Sequence, residues 1–338
     1  MKKLNYFLIV SVLLGFILTT SCKKDKDDEP KINESELAVD YLEQDLKFNL
    51  GSFVVGAEAV YQQILADASK QYIIDIRSQE VYNTGHIQGA VLVALPNLLE
   101  HMKTVNVDQY DRIVIACFTG QTSAYAVSLI RAAGFGNKVV SLKWGMSSWN
   151  SAFSSRWTDN LKNDKAAFFI NDASPAKPAK GDLPVLNTGK KTGKEIVDAQ
   201  IEVLLAATYG PATITNANLY ADLNAYQIIN YWPTSLYTNL GHIEGAINYP
   251  PAPTANDPNP FLKDQDLLTL STTKPNVLYC YTGQTSSYLA GYLRLIGYDA
   301  RSILYGGNGM IYDVMVANST PNTFIPATEV KDYPFVTP

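Results

Sequence analysis

A chain of 338 residues, 46% hydrophobic and 17% charged, is long enough to bury two ordinary cores and has the composition of a soluble globular protein. Its formal net charge of -5 offers no basic face, which sets nucleic acid aside as a partner. The three histidines and three cysteines are too scattered for a zinc site of ordinary ligand spacing, so neither metal nor cofactor is expected.

Residues 1–21 read as a signal peptide. Lys2 and Lys3 precede an apolar run from Leu4 to Leu18, and the small residues Thr19, Thr20 and Ser21 lead to Cys22. The run is shorter than the ~20 apolar residues a spanning helix needs. A cysteine in this place resembles the lipidation site of bacterial lipoproteins. That resemblance implies that Cys22 becomes an acylated N-terminus and ties the protein to the membrane of the cell envelope, facing the periplasm or the outside. Residues 22–34, charged and without apolar periodicity, are expected to be a disordered tether. The acidic run just after Cys22 resembles the surface-export signal of Bacteroidetes lipoproteins, and it has equally the composition of a plain solvated spacer.

Further along, residues 72–77 predict a buried strand, followed by Gly85-His86-Ile87-Gln88-Gly89-Ala90. The β-branched run 113–116 is a second strand and ends at Cys117. A helix over 123–133 stops at Gly134, where a C′ residue belongs, and 138–142 returns as a strand before Trp144 and Trp149, both read as core. A Pro-, Gly- and Lys-rich stretch at 171–193 reads as a linker. The order then repeats: a strand at 227–232, Gly241-His242-Ile243-Glu244-Gly245-Ala246, an apolar run to Cys280, a helix to Ile296 and a strand at 301–304. His86 and His242 are 156 residues apart and Cys117 and Cys280 are 163 apart, so about seven residues are inserted, in the Pro- and Asn-rich loop 250–260. Strands alternating with helices at these spacings predict an α/β protein of two domains, 35–170 and 194–338. Each would be a mostly parallel sheet covered by helices on both faces, with reactive groups at the carboxyl ends of the strands.

Both cysteines fall at such ends. Cys117-Phe118-Thr119-Gly120-Gln121-Thr122-Ser123 is replayed as Cys280-Tyr281-Thr282-Gly283-Gln284-Thr285-Ser286. Each loop enters a helix, and the amides of such a turn, with the positive end of the helix dipole, favour an anionic sulfur. A cysteine that only packs needs neither the glycine nor the Gln-Thr-Ser run that follows in both copies.

In this order and twice over, these motifs resemble the rhodanese (sulfurtransferase) domain: Asp75-x-Arg77, Gly85-His86-Ile87-x-Gly89-Ala90, Cys117-x-x-Gly120-x-Thr122 and Gly145-Met146-x-x-Trp149 in the first half, Gly241-His242-Ile243-x-Gly245-Ala246, Cys280-x-x-Gly283-x-Thr285 and Gly309-Met310 in the second. The resemblance implies a tandem rhodanese-like lipoprotein in which Cys117 and Cys280 take sulfane sulfur from a small donor such as thiosulfate, hold it as a persulfide and pass it to a thiol or cyanide. Loop residues Phe118 to Ser123 and Tyr281 to Ser286 would supply amides to the anionic sulfur. It also implies that His86 and His242 are architectural and that Asp75 and Arg77 support the loop as an ion pair. Neither loop carries the Arg or Lys that many relatives use to hold an anionic donor, and Asn230 and Trp232 replace Asp75 and Arg77. A guanidinium near the first loop would make Cys117 the more reactive thiol. The related dual-specificity phosphatases require an Arg where Ser123-Ala124 and Ser286-Ser287 stand, which disfavours phosphatase chemistry. The reading from another class is an idle rhodanese-like binding module on a lipid anchor.

Overall fold

The computed structural model describes residues 33–252 and 258–338. The expected leader, Cys22 and the tether as far as Ile32 lie outside the described residues. Ordered chain begins with the helix Glu34–Asp40, whose first turn is closed by the Asn33 side chain accepting the Glu36 N–H.

Two five-stranded parallel sheets follow, with one topology. The first consists of β1 (Val54–Val55), β2 (Gln71–Asp75), β3 (Val91–Leu92), β4 (Arg112–Ala116) and β5 (Val139–Leu142), in the order β1-β5-β4-β2-β3. A two-residue strand, β6 (Phe169–Ile170), closes that half of the sequence. The second sheet uses β7 (Thr213–Ile214), β8 (Gln227–Asn230), β10 (Ile247–Asn248), β11 (Asn276–Tyr279) and β12 (Ala300–Ile303), in the order β10-β8-β11-β12-β7; β9 (His242–Ile243) stands apart from it. Read from the opposite edge this is the first order again. The central strands are buried on both faces, which explains runs such as Ile113-Val114-Ile115 and Val277-Leu278-Tyr279 rather than alternation. Register is fixed by pairs such as Ile73 with Val114 and Ile228 with Val277.

The helices after the two cysteines, Gln121–Ile130 and Gln284–Leu295, are buried at nearly every position because they pack on their own sheets and on each other. The approach is close: a Cβ on Gly291 would lie 2.8 Å from the Ser128 Cβ. The largest apolar cluster runs through this contact, including Tyr125 and Leu129 from one half and Tyr288 and Tyr292 from the other. The helix expected to end at Gly134 is α-helical to Ile130. A wider π-helical turn then reaches Gly134, which has φ 96°.

Each half is finished by chain from beyond it. After the first sheet the chain leaves for the second: the Lys162 and Lys165 N–H groups donate to the Asn308 and Met310 carbonyls, and β6 pairs antiparallel with β9. In return residues 331–336 run back along the first half. There Lys331 and Tyr333 donate to Ser148 and Trp149, Val336 exchanges both backbone bonds with His86, and the Trp149 indole donates to the Pro334 carbonyl at 2.9 Å. The Pro- and Lys-rich segment between the halves has no regular structure, yet it is held down. Thr188 and Gly189 donate to the Glu34 carboxylate, which lowers its pKa, and Lys177 pairs with Asp266 at 2.6 Å.

Candidate active site

Strand β4 delivers Cys117 to a turn that bends straight into a helix. The turn needs Gly120 at φ 82°, and in the second half Gly283 stands at φ 74°. Around Cys117 this geometry aims amides at sulfur: Sγ accepts from the Gly120 N–H at 3.2 Å and the Ser123 N–H at 3.4 Å, and lies 3.3 Å from the Ser123 Oγ. Cys280 Sγ accepts from the Ser286 N–H at 3.4 Å and lies 3.5 Å from the Ser286 Oγ and 3.8 Å from the Thr282 Oγ1. Behind each serine stands another, Ser141 on β5 and Ser302 on β12, both at 2.7 Å.

Such a pair of hydroxyls can be turned either way. With a thiol, the protons run from sulfur towards the inner serine, whose own hydroxyl donates to Gly120 O or Gly283 O at 3.2 Å. With a thiolate both hydroxyls reverse and Ser123 or Ser286 donates to the anion. Ser141 and Ser302 escaped the sequence reading. Their signal was present, since a serine sits on the returning strand in both copies.

The two loops also grip one another. Gln121 Oε1 accepts the Tyr305 N–H at 2.8 Å, and Gln284 Oε1 accepts the Trp144 N–H at 3.2 Å. Trp144 and Tyr305 have φ 64° and 63°, a left-handed conformation that non-glycine residues seldom adopt. A Cβ on Gly120 would come within 2.5 Å of the Gln284 Oε1, and one on Gly283 within 2.5 Å of the Gln121 Oε1. Both cysteines are free thiols.

The supporting residues differ between halves. Asp75 Oδ1 accepts the Arg77 N–H at 3.0 Å, and the Arg77 guanidinium returns to the same carboxylate at 2.7 Å and to Gly85 O at 2.7 Å, all buried. The guanidinium faces the Phe118 ring at 5.5 Å, not the sulfur. The expected advantage for Cys117 therefore loses its basis, because the charge is consumed by its own carboxylate. In the second half Asn230 Oδ1 keeps the backbone bond, to the Trp232 N–H at 3.1 Å, and Trp232 stacks on Tyr281 at 5.2 Å. His86 and His242 lie on Tyr82 and Tyr237, ring centres 3.6 Å apart in each case, with Nδ1 bonded to the tyrosine's own carbonyl oxygen. The two tyrosine hydroxyls cross to the Ala90 and Ala246 carbonyls, so each His-Tyr pair pins a loop. Burial lowers the pKa of His242 below 6.5.

Access separates the two thiols most sharply. The Cys117 loop is roofed by Phe118, with the Arg156 guanidinium 4.7 Å over its ring, and by Trp157, whose indole donates to Thr119 O at 3.1 Å. Cys280 instead lines a cavity of about 800 Å³, together with Tyr281, Thr282 and Thr285. The facing wall comes from the first half: residues 47–54 and Lys143. That wall is stapled in place. Phe53 stacks on Tyr288 at 4.2 Å, Tyr288 donates to Asn49 O, and buried Arg131 donates to Gly51 O and Ser52 O at 3.3 and 3.1 Å. Among the described residues no group of three or more His, Cys, Asp and Glu is placed to hold a metal.

A tandem of parallel α/β units, each presenting a thiol to the amides of a turn at a helix start, defines a class built around cysteine chemistry. The rhodanese-like domain model matches residues 57–152 and 215–309, more than half of the chain, and the protein belongs to that family through both halves. Thiosulfate sulfurtransferase GlpE of Pseudoalteromonas translucida is 33% identical over 92 residues, which is 27% of this chain and 85% of the relative. The adenylyltransferase and sulfurtransferase uba4 of Ogataea parapolymorpha is 29% identical over 93 residues, 28% of this chain and 23% of that protein. Among solved structures, a thiosulfate sulfurtransferase from Pseudomonas aeruginosa aligns over 80% of this chain and 46% of its own, at 17% identity and a TM-score of 0.29. The family and the sequence relatives support sulfur transfer as the general chemistry.

Proposed function

We propose that the protein is a sulfurtransferase or persulfide carrier that moves sulfane sulfur through Cys117 and Cys280. The observation that carries this reading is the pair of sulfurs at strand ends, each receiving amide N–H groups and a hydroxyl that can turn to donate. With thiosulfate, the thiolate attacks the outer sulfur, the S–S bond of the donor breaks, and sulfite leaves with the bonding pair. The enzyme persulfide then gives its outer sulfur to a thiol or cyanide and the thiolate returns. The amides of residues 118–123 and 281–286 hold the terminal anionic sulfur between the two steps. Asp75, Arg77, Asn230 and the two His-Tyr pairs keep the loops in shape without touching sulfur.

The site of action is the cell envelope, with the protein tethered through an acylated Cys22. This rests on Lys2-Lys3, the apolar run and Ser21-Cys22 in the sequence. Replacing Cys22 by Ser abolishes palmitate labelling if the reading is correct; unchanged labelling removes it.

The test of the chemistry is mass spectrometry after exposure to thiosulfate and, separately, to a persulfide donor. One added sulfur, about 32 Da, on either loop cysteine supports the proposal. Thiols that stay unmodified with both donors favour the second reading, an idle binding module, for which the closed roof over Cys117 speaks in the first half.

A further inference from the structure

We infer that the cavity at Cys280 takes an organic persulfide of about tripeptide size that carries carboxylates, and that Lys47 and Lys143 hold those carboxylates. This rests on the sulfur-transfer reading and specifies its substrate class.

Size is the first argument. A cavity of about 800 Å³ far exceeds what an inorganic anion fills and lies within the roughly 300–1,000 Å³ typical of small-molecule sites. Its walls are preformed, because residues 48–53 are stacked and hydrogen-bonded onto the Gln284 helix rather than left as a free loop. Charge is the second. The Cys280 loop has no cation of its own, and the two cations that line the cavity come from outside it. Lys47 and Lys143 are paired with no carboxylate among the described residues, and no Asp or Glu is among the lining residues. Two ammonium groups on a wall opposite the thiol suit a ligand whose carboxylates stand away from its sulfur. Hydrogen bonding is the third. Tyr281, next to the thiol and lining the cavity, has a hydroxyl without a partner among the described residues, and a ligand oxygen would satisfy it. Thus the first half builds the wall that recognises the donor and the second half supplies the sulfur that reacts.

The step balances without an outside oxidant or reductant. The Cys280 thiolate attacks the outer sulfur of R–S–SH, the S–S bond to R–S breaks as the new S–S bond forms, and R–S⁻ departs with the electron pair and takes a proton from water.

The experiment uses glutathione persulfide as the anionic probe and cysteamine persulfide as the small cationic one, on the whole protein and on the Lys47→Gln/Lys143→Gln double variant. Both lysines are at the surface edge of the wall, and a thermal melt confirms folding. The expected result is a KM for glutathione persulfide raised about tenfold, with kcat changed less than about twofold, and a KM ratio between the two probes that collapses towards one. Added sulfur appears on Cys280 in the Cys117→Ser protein. An unchanged ratio in the double variant, or loading of Cys117 alone, overturns the inference. Failure of the sulfur-transfer reading looks different, since neither cysteine would then load with any donor.

Discussion

The two halves are built on the same topology and carry the same loop, yet they differ in what surrounds the sulfur. In the first, a buried Asp75–Arg77 pair underlies a loop sealed by Phe118, Arg156 and Trp157. In the second, Asn230 keeps only the backbone bond, Trp232 stacks on Tyr281 where Arg77 faces Phe118, and the thiol meets a cavity. What survives in both is the turn itself: the left-handed glycine, the amide of the serine six residues on, the inner serine and the crossing glutamine. The ion pair is thus one of two ways to support the loop rather than a requirement of it. Access, not loop chemistry, distinguishes the sites.

The sharpest way to break this comparison is to remove the thiols one at a time. Cys280→Ser is expected to lower sulfur transfer more than about 100-fold, while Cys117→Ser keeps most of it. Steady-state rates with equal protein decide; a dominant loss from Cys117→Ser would reverse the assignment of roles. Next in size is the support beneath the loops. Asp75→Ala strands a buried guanidinium and should cost about 3–5 kcal/mol of stability. Asn230→Ala removes neutral hydrogen bonds and should cost about 1–2 kcal/mol. Urea denaturation of the two variants measures the gap, and equal losses would show that the halves are supported alike.

A smaller effect probes the grip between loops. Gln121→Ala leaves the Tyr305 N–H unpaired and Gln284→Ala does the same to Trp144, at about 1–3 kcal/mol each. Because each glutamine also packs against the opposite loop's glycine, the double variant should depart from additivity by at least about 0.5 kcal/mol. Strict additivity would mean that the loops act separately. The smallest effect is a pH dependence. Burial depresses the folded pKa of His242, so its neutral form is the stable one. Stability from this source is complete above the unfolded value near 6.5 and is lost as the pH falls through the lower folded value. His242→Gln should flatten the stability profile on the acid side of 6.5 and leave the alkaline side unchanged; an identical acid slope in the variant would contradict it.

Much of this was legible in the sequence because it is local. Uninterrupted apolar runs ending at Cys117 and Cys280 announce buried parallel strands, and Gly120 and Gly283 announce the turn. What was not legible depends on residues far apart in the chain. Nothing near Gln121 says that its oxygen will accept the Tyr305 N–H, and nothing near Asn49 or Lys143 says that they will stand opposite Cys280. The expectation built on Arg77 went astray for a nearer reason: a carboxylate two residues away satisfies a buried guanidinium more completely than a sulfur could, so its charge is not available to the thiol.

The exchanged ends also bear on the order of events during synthesis. Residues 331–336, which complete the backbone pairing of His86 and the partners of Ser148 and Trp149, are among the last to be polymerised. The half made first must therefore wait, its tryptophan edge uncovered, until the ribosome has finished the other. A chain stalled or cut shortly before its end would display that edge to proteases and chaperones although nearly all of its sequence was already present.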